Sequence, residues 1–275
     1  LTPNINTTMD WLESIVLGLV QGITEFLPIS SSGHLVVVPA LLGWKQPPLA
    51  FDLVLHLGTL IAVIFSFRYQ LLHLGRGLIG RGANPAADRR LIGLLLLGSI
   101  PAGIAGLLLS SEFESLFDQP LWVCGFWIVT AGILLGGEYL AARYLVTRPP
   151  TTPNAKRTLV IGVAQAVAIT PGISRSGATI SAGIAQGIER EEAARFSFLL
   201  SIPIILGAIA TKIPDVVNGN FRITGPVIAG FIVAGISGWV AIEGLLKYLR
   251  TNSLRIFAYY LLIVAPISAI ILELN

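Results

Sequence analysis

Charge is scarce in this sequence. Lysine, arginine, aspartate and glutamate make up only 12% of its 275 residues, whereas a soluble globular domain carries about 25% charged residues. Hydrophobic residues account for 54% of the chain, and the mean hydropathy is +0.79. So few charges cannot cover the surface of a soluble protein of this size. We therefore do not expect a soluble enzyme, and we predict an integral membrane protein.

Cysteine is almost absent, and strong net charge is missing as well. The single cysteine, Cys124, excludes an internal disulfide framework and a cysteine-based metal cage. The net charge is only +3 although the pI is about 9.2, so the basic residues favour membrane-orienting loops over a nucleic-acid partner. The N-terminal stretch lacks the basic start of a signal peptide and carries Gln21 and Glu25 within its apolar run.

Long apolar runs are abundant. A membrane-spanning helix needs about 20 mostly apolar residues. Six runs meet this requirement, and no gap between apolar segments is long enough for a separate soluble domain. The predicted spans are residues 51–67, 91–109, 121–145, 196–213, 224–246 and 254–272.

Two further apolar stretches, at residues 11–42 and 159–188, are broken in the middle by polar residues. Glu25, Pro28 and the run SSSGH interrupt the first, and PGISRSG interrupts the second. Irregular backbone cannot face lipid, but it can be buried in protein or line a wet cavity. We therefore predict two re-entrant helical hairpins, at about residues 10–43 and 158–188.

The two broken stretches resemble each other at a constant spacing. GLVQ at residues 18–21 matches GVAQ at 162–165, and ISSSG at 29–33 matches ISRSG at 173–177, in each case 144 residues later. Chance similarity between Gly/Ser-rich turns is the alternative. One hairpin plus three spans in each half makes the halves start on opposite faces. The sequence therefore predicts an all-α protein with an inverted-topology repeat, residues 1–150 and 151–275, in one membrane domain.

The basic residues are distributed as this topology requires. The outer loops hold only Lys45, Lys212 and Arg222, and the acidic loop at Glu112, Glu114 and Asp118 has no basic residue. An excess of lysine and arginine marks cytoplasmic loops, so both termini are predicted to lie outside. Fourteen of the 18 basic residues fall in the predicted inner loops: Arg68, Arg76, Arg81, Arg89, Arg90, Arg143, Arg148, Lys156, Arg157, Arg190, Arg195, Lys247, Arg250 and Arg255.

Arg175 is the most informative ionisable residue, because it lies in the polar centre of the second hairpin. Inverted repeats bring their broken segments together near the bilayer midplane, and a charge at that depth marks a functional site. The planar guanidinium suits phosphate, with a permanent salt bridge to Glu25 as the alternative. Half-helices starting at Gly33 and Gly177 would favour the same anion. The predicted substrate-binding residues are Ser30, Ser31, Ser32, Arg175, Ser176, Gly177 and Thr179.

Glu25 supplies the opposite charge. Beside a phosphate, a carboxylate is useful mainly through a bridging divalent cation, and Gln21, four residues earlier on the same helical face, offers a neutral ligand. An ordinary interhelical hydrogen bond is the alternative for Gln21. His34 follows the serine run and could serve as general base, general acid or nucleophile, or simply bond a backbone carbonyl. Asp52 and His56 share one helical face and could form a second layer of contacts around the site residues.

These motifs resemble those of a known family. QGITEFLPISSSGH at 21–34, PGISRSGAT at 171–179 and FSFLLSIP at 196–203 are similar to segments of the bacterial undecaprenyl-diphosphate phosphatase, or bacitracin-resistance, family. The resemblance implies an integral membrane hydrolase of the cell-wall lipid-carrier cycle. It also implies removal of one phosphate from a C55 polyprenyl diphosphate, dependence on Mg²⁺ or Ca²⁺, and an active site open to the outer face of the plasma membrane.

The resemblance also implies roles for individual residues. Glu25 matches the family's acid and His34 its closing histidine, while Ser174, Arg175 and Thr179 match its phosphate-binding motif. Gln21 departs from the acid expected at that position. The predicted catalytic residues are Glu25, His34, Ser174 and Arg175, and the predicted metal ligands are Glu25 and Gln21.

Three questions stay open at the level of sequence. The attacking group is His34, a motif serine such as Ser174, or a water activated by His34. A transporter or flippase of a phosphate-bearing polyprenyl lipid is the rival function, because broken helices in inverted repeats are typical of transporters. The expected partners are a polyprenyl diphosphate and membrane lipids, with no nucleic acid, and the oligomeric state, a homodimer included, is undecided.

Overall fold

The computed structural model describes residues 9–109, 119–147, 149–218 and 221–274. Within these ranges the regular structure is helical, apart from an isolated bridge between Thr151 and Ile188. The helices, numbered here in chain order, are α1 (Trp11–Phe26), α2 (Ser31–Leu41), α3 (Leu49–Ser66), α4 (Arg68–Leu78), α5 (Pro85–Leu108), α6 (Pro120–Thr147), α7 (Ala155–Val167), α8 (Arg175–Ala185), α9 (Arg190–Asn218), α10 (Gly225–Leu249) and α11 (Arg255–Leu274).

Six of these helices are long and apolar enough to cross a membrane, namely α3, α5, α6, α9, α10 and α11. The predicted all-α class and the six predicted spans are therefore confirmed. Helix α5 starts six residues before its predicted apolar span, because Asn84 accepts a hydrogen bond from the Ala87 amide and Pro85 fits the first helical position. A count of apolar residues does not detect such polar first turns.

Both broken stretches form pairs of short helices. Helix α1 has 16 residues and α2 has 11, while α7 has 13 and α8 has 11. At 1.5 Å per residue, none of the four reaches about 30 Å, the thickness of a hydrocarbon core. Helix α1 ends at Phe26 because Pro28 forces Leu27 into an extended conformation, with φ −65° and ψ 141°.

The two halves pack against each other through matching glycine contacts. Helix α1 lies on α10, where a Cβ atom added to Gly18 would be 2.5 Å from the Gly230 oxygen. Helix α7 lies on α5, where a Cβ atom added to Gly162 would be 2.6 Å from the Gly98 oxygen. Small residues allow such close approach of helices in membranes. In each half, the first broken helix thus contacts the second full span of the other half.

Large apolar side chains cover the outside of the helices as well as the core. Leu107 is 72% exposed and Trp122 is 62% exposed, while Phe26 and Phe198 are fully buried with their rings packed edge to face. Apolar residues in contact with the surroundings are expected when the surroundings are lipid. The polar residues of the two motifs therefore lie within a protein whose core and outer surface are both apolar.

One helix was not predicted. Helix α4 falls in a segment that the sequence marks only as a gap between apolar runs, and the Arg68 guanidinium lies 4.5 Å from the ring centroids of both Phe65 and Tyr69. A hydropathy scan misses it because its arginines offset its leucines. The predicted acidic loop at Glu112, Glu114 and Asp118, Arg148 and the Lys212 side chain lie outside the described residues.

Candidate active site

Glu25, near the end of α1, is the centre of a buried polar cluster. Its Oε2 atom accepts a 2.5 Å hydrogen bond from the Ser31 hydroxyl and a 3.2 Å bond from the Gln21 amide nitrogen. The Nε2 atom of His56 lies 3.7 Å from the same oxygen. Glu25 is only 7% exposed, so these donors replace the water that a carboxylate would otherwise require.

Arg175, the first residue of α8, occupies the other side of the same carboxylate. Its Nη2 atom donates to Glu25 Oε1 at 2.9 Å, and its Nη1 atom donates to the Ser197 carbonyl at 3.4 Å. The salt bridge considered at the level of sequence is therefore present. A guanidinium carries five N–H donors, so the two bonds made to described residues leave three for another acceptor. The ion pair and an anion can share this side chain.

Hydroxyl groups of the second motif form a row of two pairs next to Arg175. The hydroxyls of Ser174 and Ser176 lie 3.2 Å apart, and that of Thr179 lies 2.6 Å from the hydroxyl of Ser197. The Ser176 hydroxyl also donates to the Leu27 carbonyl at 3.1 Å, which ties this row to the break between α1 and α2. The two motifs therefore meet, as the sequence predicts.

The remaining residues of the first motif face a different neighbour. The hydroxyls of Ser30 and Ser32 are 3.3 Å apart, and the His34 ring lies 4.5 Å from the Trp127 ring and 5.9 Å from the Tyr260 ring. His34 makes no hydrogen bond or ion pair with Glu25 or Arg175 among the described contacts. The structure thus joins Glu25 to Arg175 directly and gives His34 a separate set of contacts.

The half-helices start two residues earlier than predicted. Helix α2 begins at Ser31 and α8 at Arg175, rather than at Gly33 and Gly177. The reason is capping: the Gly33 and Gly177 amides donate to the hydroxyls of Ser30 and Ser174, at 3.2 and 3.0 Å. These two glycine amides are consequently occupied by serine oxygens, and an anion would meet the earlier amides of each helix instead.

The side chains around Glu25 offer few ligands for a divalent cation. Among the described residues, no group of three or more His, Cys, Asp or Glu side chains could hold a metal. The Gln21 Oε1 atom is nevertheless buried without a hydrogen-bond partner in the described part of the chain, next to the Glu25 carboxylate. Magnesium is commonly held by one or two carboxylates plus the phosphates of a substrate. Glu25 supplies one carboxylate, and Gln21 could add only a neutral amide oxygen.

Four contributors were missed or only partly anticipated by sequence reasoning. The Thr130 hydroxyl accepts from the Ser174 amide at 3.1 Å and donates to the Gly172 carbonyl at 2.9 Å, which fixes the second motif. Trp127 and Tyr260 contact His34, and Ser197 binds Arg175 and Thr179. Only Ser197 has a sequence signal, because it follows Phe196 as Asp52 follows Phe51, 145 residues earlier. The other three resemble ordinary residues of apolar helices.

The fold and this cluster together define the class of protein. The protein is a polytopic helical membrane protein with a buried ion pair and a row of hydroxyls where two broken helix pairs meet. The family model described as "Bacitracin resistance protein BacA" matches residues 14–267. The chain belongs to this family, as its motifs predict.

Curated relatives agree over nearly the whole chain. A protein of Methanosphaera stadtmanae named undecaprenyl-diphosphatase is 41% identical, and the match covers 96% of this chain and 98% of the relative. A protein of the same name from Moorella thermoacetica is 42% identical, covering 94% of this chain and 97% of the relative. Undecaprenyl-diphosphatase 2 of Stutzerimonas stutzeri is 40% identical, again over 94% and 97%.

Proposed function

We propose that this protein hydrolyses undecaprenyl diphosphate to undecaprenyl phosphate and inorganic phosphate. The hydrolysis would return the lipid carrier to peptidoglycan synthesis and confer resistance to bacitracin. The observation that carries the proposal is the contact between the motifs, in which Arg175 meets Glu25 beside a row of hydroxyls. The relatives' shared name and the family match support the same activity.

Arg175 binds the terminal phosphate in this proposal. Its remaining N–H donors are held in a fixed direction by Glu25 and the Ser197 carbonyl. Phosphoryl transfer depends mainly on positioning and on stabilisation of charge, and both are served by a guanidinium that does not need to reorganise. The hydroxyls of Ser30 and Ser32 share one hydrogen bond and add a neutral donor around the same anion. Those of Ser31, Ser176 and Thr179 donate to Glu25, to Leu27 and to backbone carbonyls of α8, and would have to exchange these acceptors to bind it.

Glu25 and Gln21 would hold a divalent cation, Mg²⁺ or Ca²⁺, through their side-chain oxygens. When bound, the cation would offset the negative charge of the diphosphate. The Ser31 hydroxyl orients the Glu25 carboxylate, and His56 lies within 3.7 Å of it. Asp52, one turn before His56, has a buried Oδ1 atom without a partner among the described residues.

Three groups compete for the attack on phosphorus. Ser174 is 1% exposed, and its hydroxyl caps α8 and contacts Ser176, so it would have to exchange these contacts to attack. His34 could attack directly or activate a water molecule. A general base needs a nitrogen lone pair within hydrogen-bonding reach of the proton that it takes, and the Nε2 atom of His34 would have to exchange its bond with the Tyr260 hydroxyl to provide one.

The membrane arrangement forms part of the proposal. Two re-entrant hairpins and an inverted repeat of residues 1–150 and 151–275 are supported by the short helices α1, α2, α7 and α8 and by the matching glycine contacts of the two halves. In this topology the site opens to the outer face of the plasma membrane. The prenyl chain of the substrate would lie along the apolar outer surface of the helices, and the oligomeric state, including a homodimer, is a matter for hydrodynamic measurement.

The proposal is tested with the purified protein in detergent and in vesicles. We expect phosphate release from undecaprenyl diphosphate with Mg²⁺ or Ca²⁺, loss of release on chelation, and recovery when one metal is restored. Labelled lipid is followed across the vesicle membrane in parallel. Lipid movement without phosphate release would favour the transporter or flippase instead, and absence of both would reject the proposed substrate.

A further inference from the structure

Both ring nitrogens of His34 have hydrogen-bonding partners. The Nδ1 atom lies 2.7 Å from the carbonyl oxygen of Ser30, one turn earlier, and the Nε2 atom lies 2.9 Å from the hydroxyl of Tyr260 on α11. Tyr260 is separated from His34 by 226 residues, so the fold rather than local sequence creates this pair. His34 is 6% exposed, whereas Tyr260 is 38% exposed.

These two bonds determine where the proton of a neutral His34 lies. A carbonyl oxygen only accepts hydrogen bonds, so Nδ1 must carry the hydrogen and donate it to Ser30. The Nε2 atom then has a lone pair and accepts from the Tyr260 hydroxyl. The partner of one ring nitrogen sets the state of the other. Nε2 is therefore the basic nitrogen of His34, and it points at α11.

The faces of the imidazole ring are fixed as well. Trp127 packs on it at an angle of 41°, and the Tyr260 ring stacks at 13°. Trp127 is 1% exposed and lies so close to Gly33 that a Cβ atom there would be 2.3 Å from the indole nitrogen. Trp127 is therefore held against the backbone next to His34, and Tyr260 is the more exposed of the two aromatic neighbours.

We propose that Tyr260 is a positioning residue for His34 in the phosphatase reaction. It holds the imidazole with Nδ1 protonated and Nε2 unprotonated and directed at α11. The same hydroxyl can accept a hydrogen bond once Nε2 has gained a proton, since a phenol is both donor and acceptor. This inference rests on the proposed function and adds a residue that neither motif contains.

The first test reads the tautomer directly and needs no substrate. The protein has three histidines, so ¹⁵N-histidine spectra of the full chain in micelles are simple, and a His34→Gln variant assigns the His34 signals. We expect a protonated Nδ1 and an unprotonated, hydrogen-bonded Nε2. In Tyr260→Phe the Nε2 signal should move to the position of a free nitrogen or give way to a mixture of tautomers.

Tyr259→Phe is the matched control, because Tyr259 is the neighbouring residue, is 54% exposed and has no described partner. We expect its spectrum and its kinetics to equal those of the wild type. Tyr260→Phe should lower kcat about tenfold, the equivalent of one neutral hydrogen bond, while KM changes less than twofold. Replacing a residue with only a structural role would not change the Nε2 signal while leaving the Nδ1 signal unchanged.

Each outcome decides the matter. An unchanged Nε2 signal with unchanged kcat in Tyr260→Phe overturns the proposal, and so does an equal effect of Tyr259→Phe. A loss of both nitrogen signatures would mean that the local fold had been lost, and it also counts against a specific role for the hydroxyl. If the wild type releases no phosphate, the proposed function fails, but the tautomer result still stands as a separate finding.

Discussion

The Nη2 atom of Arg175 lies 2.9 Å from the Oε1 atom of Glu25, although 150 residues separate them in the chain. The position of Arg175 in the second motif corresponds to that of Ser31 in the first, and Ser31 donates to the other oxygen of the same carboxylate. Glu25 has no acidic counterpart, since Ile169 stands 144 residues later. The two similar motifs therefore supply two different donors to a single carboxylate.

Replacing Glu25 by glutamine removes that charge with little change in shape. We expect Glu25→Gln to lose most phosphate release and its response to added Mg²⁺, and also to lower the unfolding temperature, because Arg175 would keep a buried charge without its partner. Phosphate release and thermal unfolding in detergent measure the two effects. Glu243→Gln, at an exposed position on α10, is the matched control and should change neither.

The serines of the first motif should differ in importance. Ser31 donates to the Glu25 carboxylate at 2.5 Å, whereas Ser32 contacts only the hydroxyl of Ser30, at 3.3 Å. A hydrogen bond to a charged group is worth about 1.5–3 kcal/mol. We expect Ser31→Ala to lower kcat/KM by at least about tenfold and Ser32→Ala to lower it less. Equal losses would contradict the orienting role given to Ser31.

Gly33 should not tolerate a side chain. A Cβ atom there would lie 2.3 Å from Trp127 Nε1 and 3.2 Å from Gly172 Cα, so Gly33→Ala must displace a buried indole. Overpacking of this kind costs about 1–3 kcal/mol. Gly132, on α6, has no atom within 4 Å of such a Cβ, and Gly132→Ala should be neutral or stabilising. Thermal unfolding of the two variants distinguishes them, and a stable, active Gly33→Ala would show that the junction is looser than described.

The proposed re-entrant hairpins predict the membrane side on which individual residues lie. Because Cys124 is the only cysteine and is buried, Cys124→Ala gives a background for single new cysteines. We expect Asp10→Cys and Lys45→Cys to react with an impermeant thiol reagent from outside, and Thr152→Cys and Glu189→Cys to react only from inside. Asp10 and Lys45 on opposite faces would mean that the first broken stretch crosses the membrane.

The sequence was sufficient for the spans and for the meeting of the motifs. Runs such as residues 51–67 need no partner to be recognised, because the bilayer imposes their length and apolar character. The sequence offers the pairing of Glu25 with Arg175 only as the alternative to phosphate binding, although two buried opposite charges have few other ways to be satisfied. Helix starts were less accurate, since capping by Ser30 and Ser174 moves them by two residues.

Contacts that depend on the packing of distant helices could not be read from the sequence. Tyr260 and Thr130 lie within apolar spans, where nothing in the sequence distinguishes them from residues that only pack against their neighbours. Their hydrogen bonds, to His34 and Ser174, exist only because α11 and α6 pack against the two motifs. Similarly, Arg68 and its neighbours form α4 although no apolar run predicts a helix there.

The most direct test of the central claim is phosphate release by Arg175→Ala and Arg175→Lys beside the wild type. Arg76→Ala is the control, because Arg76 is exposed and has no described partner. If the junction of the two motifs binds the terminal phosphate, both Arg175 variants should lose about 10²–10³-fold in kcat, since lysine lacks the planar fork, and Arg76→Ala should match the wild type. Full phosphate release by folded Arg175→Ala would contradict the account.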